Sequence, residues 1–213
     1  MNSDASAEGS SSFQGNRRGD GGRLRADIVE AATALLDEGG TEHAITLRAV
    51  ARRVGIAAPS IYPHFADRDA LLLAVCQDAF AVLEKALRDV PEHPDPVDHL
   101  RAVCGAYLAF AREWPSRYRI MFGAVWDAGQ AAERSPGLAA DAAALGMTAS
   151  DVLRGALAAC AEAGRSGSVV PASDATALWV GLHGLAQLRE AAPLFPWPPR
   201  LEAELIERLS LLR

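Results

Sequence analysis

Residues 53–65 read RVGIAAPSIYPHF, and the elements on either side are arranged around what this stretch forms. Two prolines, Pro59 and Pro63, stand four positions apart in what otherwise looks like a short helix. Inside a helix a proline deletes a backbone donor and crowds the carbonyl four residues earlier, at a cost of ~3 kcal/mol. In the first turn Pro59 costs little, because its missing N–H would have had no intrahelical partner. Pro63 then ends or tightens the helix near Tyr62. The two prolines bracket a helix of about two turns, enough to present one face to base edges.

Immediately upstream, Thr46 is a plausible N-cap for another short helix, in which Leu47, Val50, Ala51 and Val54 recur at helical spacing. Gly55 breaks it. Two tight helices around a Gly-centred turn spell a helix-turn-helix, the motif whose second helix enters the major groove of DNA. Before it, residues 23–38 place Leu24, Ile28, Ala31, Ala32, Leu35 and Leu36 on one face, and Gly39-Gly40 supplies a left-handed stop. After it, Asp67 caps a longer helix striped by Leu71, Leu72, Val75, Ala79, Val82, Leu83, Ala86 and Leu87. This last helix crosses a domain boundary placed near residue 70.

Further along, Asp95 and Pro96 open a helix to about Glu113, and SRYRIMF forms a short one ending at Gly123. Residues 124–135 fit no single pattern. Pro136 opens a long alanine-rich helix to Gly164. Ser173 is read as the cap of the next, and LEAELIERLSLLR is the last. The sum is an all-α chain of about nine helices: a disordered arm over 1–22, a DNA-binding head over 23–70, and a helical domain over 71–213. The arm, rich in Ser and Gly with one aromatic, cannot bury enough surface to offset its ordering entropy. Its Arg17 and Arg18 either trail along a DNA groove or stay solvated.

The net charge of −6 at first discourages a nucleic-acid partner. Its distribution reverses that: residues 1–15 carry −2, residues 16–68 carry +1 with eight arginines, and residues 69–213 carry −5. Only the first third offers a basic surface. Cys76, Cys104 and Cys160 are odd in number and widely spaced, which points to reduced thiols and a cytoplasmic protein. No apolar run is long enough for a membrane span. The five histidines form no metal-ligand spacing, and neither a nucleophile elbow nor a phosphate-binding glycine loop occurs, so an enzyme is not expected.

The stretch IVEAATALLDEGG, followed by ITLRAVARRVGIAAPSIYPHFADRDALL, resembles the DNA-binding domain of the TetR family of transcriptional regulators. The likeness rests on the joint spacing of Gly39, Thr46-Leu47, Ala51, Val54-Gly55-Ile56, Tyr62-x-His64-Phe65 and Asp67-Arg68-Asp69-x-Leu71. Departures from the family pattern are Ala57 in place of a capping Ser or Thr, Pro63, and Arg68 in place of Lys. SRYRIMFG and LWVGLHGLAQL are similar to one branch's effector-binding and dimerisation domain.

The resemblance implies phosphate contacts for Thr46, Tyr62, His64 and Arg68, whose hydroxyl, phenol, imidazole and guanidinium are competent donors. A cation such as Arg68 in the first turn of a helix opposes the macrodipole, and a phosphate would offset that. Arg48 and Ser60 are the candidates for base edges, with Ala58 and Pro59 available to a thymine methyl; a contact of Arg48 with the DNA backbone alone is the competing reading. Arg25, Arg52 and Arg53 add long-range attraction, although Arg52 and Arg53 read equally well as solvated charges.

In the second domain Tyr107, Phe110, Trp114, Tyr118, Met121, Phe122, Trp126 and Met147 fall in helices the family uses for its effector cavity. More of them are expected in the core than in the pocket; Tyr118, Phe122 and Trp126 are the first choices for lining, with His183 as a polar contact. Gly181 and Gly184 each cost ~1 kcal/mol in a helix, which close helix approach compensates. By resemblance the last two long helices pair with those of a second subunit, along Trp179, Leu182, His183, Ala186, Leu205 and Leu209; a purely intramolecular role for these residues is the alternative. The expectation is a homodimeric repressor without cofactor or metal, released from double-stranded operator DNA by a small hydrophobic effector. An activator on the same scaffold, and a helical ligand-binding protein with a relic reading head, stand as alternatives.

Overall fold

The computed structural model describes residues 20–38, 42–122 and 126–213. Of the expected arm over 1–22, the residues up to 19, with Arg17 and Arg18, lie outside those described, as do the Gly39-Gly40 stop and Gly123, whereas residues 20–22 belong to the first helix and not to an arm. Among the described residues the chain is all-helical, with ten α-helices and three short 3-10 turns. The first helix, α1 (Asp20–Asp37), buries Ile28, Ala32 and Leu36 as its pattern requires. A second, α2 (Leu47–Val54), starts on Thr46, whose hydroxyl oxygen accepts from the Ala49 N–H at 3.1 Å. It ends on Gly55, whose φ of 80° is open to glycine at no steric cost.

The proline-bracketed stretch departs from its expected two α-turns. Residues Ala58–Ile61 form a single 3-10 turn. Ala57 offers no side-chain cap. Neither proline can donate, so the surviving bonds run tightly, from Ser60 N–H to the Ala57 carbonyl and from His64 N–H to the Ile61 carbonyl, at 2.9 and 3.0 Å. Below the turn, Ile61 and Phe65 are buried.

Helix α3 (Arg68–Arg88) begins on Asp67, whose carboxylate accepts from Ala70 N–H at 2.8 Å. It is continuous through residue 70 and is buried along Leu71, Leu72, Val75, Ala79, Leu83 and Leu87. The next helix, α4 (Pro96–Glu113), uses Asp95 as N-cap and Pro96 in its first turn, as the sequence predicts. Helix α5 (Pro115–Met121) is the short SRYRIMF element, and α6 (Ala128–Arg134) fills the stretch that had no clear pattern, capped by Asp127.

The single long helix expected from Pro136 to Gly164 is broken. It divides into a 3-10 turn, Pro136–Leu138, then α7 (Ala139–Ala143) and α8 (Met147–Glu162). The break falls at Gly146, with φ of 73°. A β-carbon there would stand 2.8 Å from Cε1 of Phe80, so both the backbone and the neighbour demand glycine. Helix α9 (Pro171–Ala191) starts two residues before Ser173, on Pro171, and has no side-chain cap. Finally α10 (Leu201–Leu209) packs back on α9, and the tail after it is tied to the loop before α9, where Ser166 Oγ donates to the Ser210 carbonyl at 2.6 Å.

α3, α4, α8 and α9 pack on one another around the second domain's core, while α1 and α2 close the head against the start of α3. Arg117 on α5 joins the two parts, donating to Asp37 of α1 at 2.7 Å and stacking its guanidinium over the Trp114 ring.

Candidate functional sites

The candidate reading surface is built from the start of α2 and the 3-10 turn. Thr46, Arg48, Pro59, Ser60 and Tyr62 are exposed, and Ala58 and His64 are half-buried. Tyr62 keeps 53% of its surface accessible although it is a large aromatic, because Ile61 and Phe65 take the inward positions on either side. The Thr46 oxygen serves as the cap acceptor, which leaves its hydroxyl hydrogen to donate elsewhere. Ser60, by contrast, has its backbone N–H committed within the turn.

Arg68 is engaged within the chain. It is half-buried, and its Nε donates to the Ile45 carbonyl at 2.9 Å. That bond ties the first turn of α3 to the segment before α2 and offsets the unfavourable place of a cation at a helix start. Arg53 likewise makes a two-pronged pair with Glu38 at 2.7 and 2.6 Å, joining α2 to the end of α1. Arg25 lies over the Phe65 ring, 4.8 Å from its centre. Arg48 and Arg52 are exposed.

The second site is a cavity of about 390 Å³. α3 contributes Phe80, Leu83 and Leu87; α4 contributes Val103 and Tyr107. Met121 and Phe122 come from the end of α5, and Trp179 from α9. Leu145, Gly146 and the first turns of α8, Met147 to Asp151 with Leu153, close the remaining side, Thr148 and Val152 excepted. Size and apolar character fit a small-molecule site.

Of the residues expected to line it, Tyr107, Met121, Phe122 and Met147 do so. Phe110 is core, and Trp114 is covered by Arg117. Trp126 is turned to the head, where its Nε1 donates to Asp69 at 3.1 Å. Tyr118 is fully buried one layer behind the wall, its hydroxyl 2.8 Å from both the Tyr107 hydroxyl and Nδ1 of His183. Thus His183 reaches the cavity only through two phenols. Burial holds its pKa below the usual histidine value, and pushes the Tyr107 phenol up to about 12. Phe80, Leu145, Gly146, Ser150 and Asp151 escaped sequence reasoning. Gly146, between an alanine run and Met147, was the one signal available for this wall.

The residues expected along a seam between subunits are for the most part taken up inside the chain. Leu182 is core, while Trp179 and His183 point inward, Trp179 Nε1 donating to Tyr107 at 3.1 Å. Leu205 and Leu209 pack on Gly181 within the chain, which explains that glycine. Ala186 is half-buried. The exposed stripe of α9 is instead Ala177, Val180 and Leu188, with Gly184 between them facing open space.

A helix-turn-helix head continuous through α3 with an all-helical domain that holds a cavity is the architecture of a transcriptional regulator. Residues 28–75 match the model of bacterial regulatory proteins of the tetR family, and residues 100–210 match that of the tetracyclin repressor-like C-terminal domain. The second match alone spans more than half the chain, and the protein belongs to the TetR family. The HTH-type transcriptional regulator Rv1816 of Mycobacterium tuberculosis is 30% identical over 113 residues, 51% of this chain and 47% of its own. The chain thus spans about half the length of the curated relatives it matches. A protein of unknown function from Rhodococcus sp. RHA1 shares the fold with a TM-score of 0.69 and 24% identity, over 94% of this chain and 95% of its own. RolR in complex with resorcinol has a TM-score of 0.64 at 19% identity, over 91% and 89%. Among the described residues no helix is long and apolar enough to cross a membrane.

Proposed function

We propose that the protein is a homodimeric repressor that leaves its operator when a small, mostly apolar molecule fills the cavity. The observation that carries the reading is α3: its first turn holds the reading head, and Phe80, Leu83 and Leu87 further along line the cavity. At 1.5 Å per residue the helix is a lever of roughly 30 Å. A second brace parallels it. Asp69 accepts from Trp126 Nε1 and from Arg134 of α6 at 2.8 Å, and Asp67 accepts from Ser135 at 3.2 Å. The chain from α6 runs on through α7 to Gly146 and Met147 in the cavity wall. A molecule that separates Phe80 from Gly146 therefore pushes on both attachments of the head. The likeness to a relative crystallised with resorcinol supports a small organic effector.

DNA contact falls to Thr46 and Tyr62 for phosphates, with Arg48, Pro59 and Ser60 toward base edges and Ala58 and His64 beside them. Arg68 acts chiefly by holding the start of α3. The α9 stripe of Ala177, Val180, Gly184 and Leu188 is the face offered to a second copy, which places two reading turns for successive major grooves.

The test is a titration of the DNA flanking the protein's own gene, followed by fluorescence anisotropy across a salt series. Binding should weaken steeply with salt. Changing Thr46→Val together with Tyr62→Phe should weaken it about tenfold on all sequences, two hydrogen bonds to phosphate being lost. Salt-insensitive binding, or an unaffected double variant, would overturn the assignment.

A further inference from the structure

The cavity wall says what kind of molecule it accepts. None of its lining residues is Lys, Arg or His, and its one acid, Asp151, is exposed and already paired with Arg154 at 2.7 Å. A carboxylate or phosphate drawn inside would lose water without gaining a counter-charge, which is a large cost. Four ring side chains, two buried and two half-buried, form one polar chain at the wall: Trp179 Nε1 donates to the Tyr107 hydroxyl, which is hydrogen-bonded to the Tyr118 hydroxyl, which is hydrogen-bonded to Nδ1 of His183, at 3.1, 2.8 and 2.8 Å.

Of this chain only Tyr107 and Trp179 line the cavity. Trp179 has a single N–H, already used, and the other lining hydroxyl, that of Ser150, belongs to an exposed residue, so Tyr107 holds the buried polar capacity left over. A phenol can donate once and accept twice. When the neutral His183 ring accepts at Nδ1, both phenolic hydrogens point along the chain and Tyr107 offers the cavity a lone pair. When Nδ1 carries the hydrogen, the chain reverses and Tyr107 offers its O–H. Both directions keep every buried polar atom bonded.

We infer that the cavity selects an uncharged, largely apolar molecule bearing one hydroxyl or carbonyl oxygen, anchored on Tyr107, whose donor or acceptor sense follows the His183 tautomer through Tyr118. This rests on the effector reading above and narrows it to a ligand class.

Three probes of one shape separate the possibilities by calorimetry on the full chain: 4-cyclohexylphenol, cyclohexylbenzene and 4-cyclohexylbenzoate. The phenol should bind about five- to tenfold more tightly than the hydrocarbon, and the carboxylate most weakly. In Tyr107→Phe the phenol's advantage should vanish while the hydrocarbon binds as before, which also shows that the variant is folded. Tyr118→Phe, which leaves Tyr107 in the wall but cuts the chain, should remove part of that advantage. Equal binding of phenol and hydrocarbon, or a preference for the carboxylate, overturns the anchor and leaves the cavity reading standing. Failure of all three to bind overturns both.

Discussion

The head and the cavity domain are organised on opposite principles. In the head, every residue proposed to meet DNA comes from residues 46–68, and its positions are set by local devices: a threonine cap, a left-handed glycine, two prolines, and Ile61 and Phe65 pinning the turn from beneath. In the cavity domain, residues from 80 to 179 contribute to one wall, and no short stretch contains the site. A local device can be read and broken one residue at a time. A wall shared by five helices answers to changes in helix placement, which is the route by which the proposed effector would act on the head.

The sharpest way to test the contrast is Phe65→Ala. Phe65 is nearly inaccessible and carries the Arg25 guanidinium on its ring. Its truncation should cost about 3–5 kcal/mol. If the head is a locally built unit, DNA binding is lost while the probes above still bind the cavity. Denaturant unfolding with parallel calorimetry reads both. A variant that keeps its DNA affinity, or loses both activities together, dissolves the distinction.

The same contrast explains what the sequence revealed. Thr46, Gly55, Asp67 and Asp95 were legible as caps or stops because capping is decided within a few residues, and the structure uses all four. The order of the helices followed from periodicity for the same reason. The recognition turn was overestimated because two prolines were credited with bracketing a helix they in fact compress. The cavity was only partly legible: an aromatic in a helix looks alike whether it faces a cavity or a neighbour. Tyr118 and Trp126 therefore looked like lining residues, whereas hydrogen bonds with distant partners, His183 and Asp69, hold them elsewhere. Likewise α9 is apolar on nearly every side, so its pattern did not say which face is open. Ser173 misled because Pro171 two residues earlier already starts the helix.

Gly146 is where the cavity domain has a local device of its own. Gly146→Ala should destabilise by about 1–3 kcal/mol, from the left-handed backbone and from the collision with Phe80. Asn relieves the first problem and keeps the second, so Gly146→Asn should recover part of the stability without restoring ligand affinity. Adding Phe80→Leu to the alanine variant should recover the rest of the collision. If alanine at 146 is neutral in thermal unfolding, the break between α7 and α8 is not held by this contact, and the proposed push on the head through α7 loses its fixed point.

The smallest effect belongs to His183, and its sign is definite. Burial lowers the folded-state pKa, whereas the unfolded chain titrates near 6.5. On acidification the unfolded state therefore takes up the proton first, and the native state loses stability as pH falls from about 6.5 towards the lower folded value; above that window the contribution is flat. His183→Gln keeps an acceptor for Tyr118 and removes the titration. Its melting temperature should consequently fall less than that of the unaltered protein between pH 7.5 and 5.5. Parallel acid profiles in the two proteins would mean that His183 stays water-accessible enough to titrate normally, and with it the buried end of the phenol chain would be open.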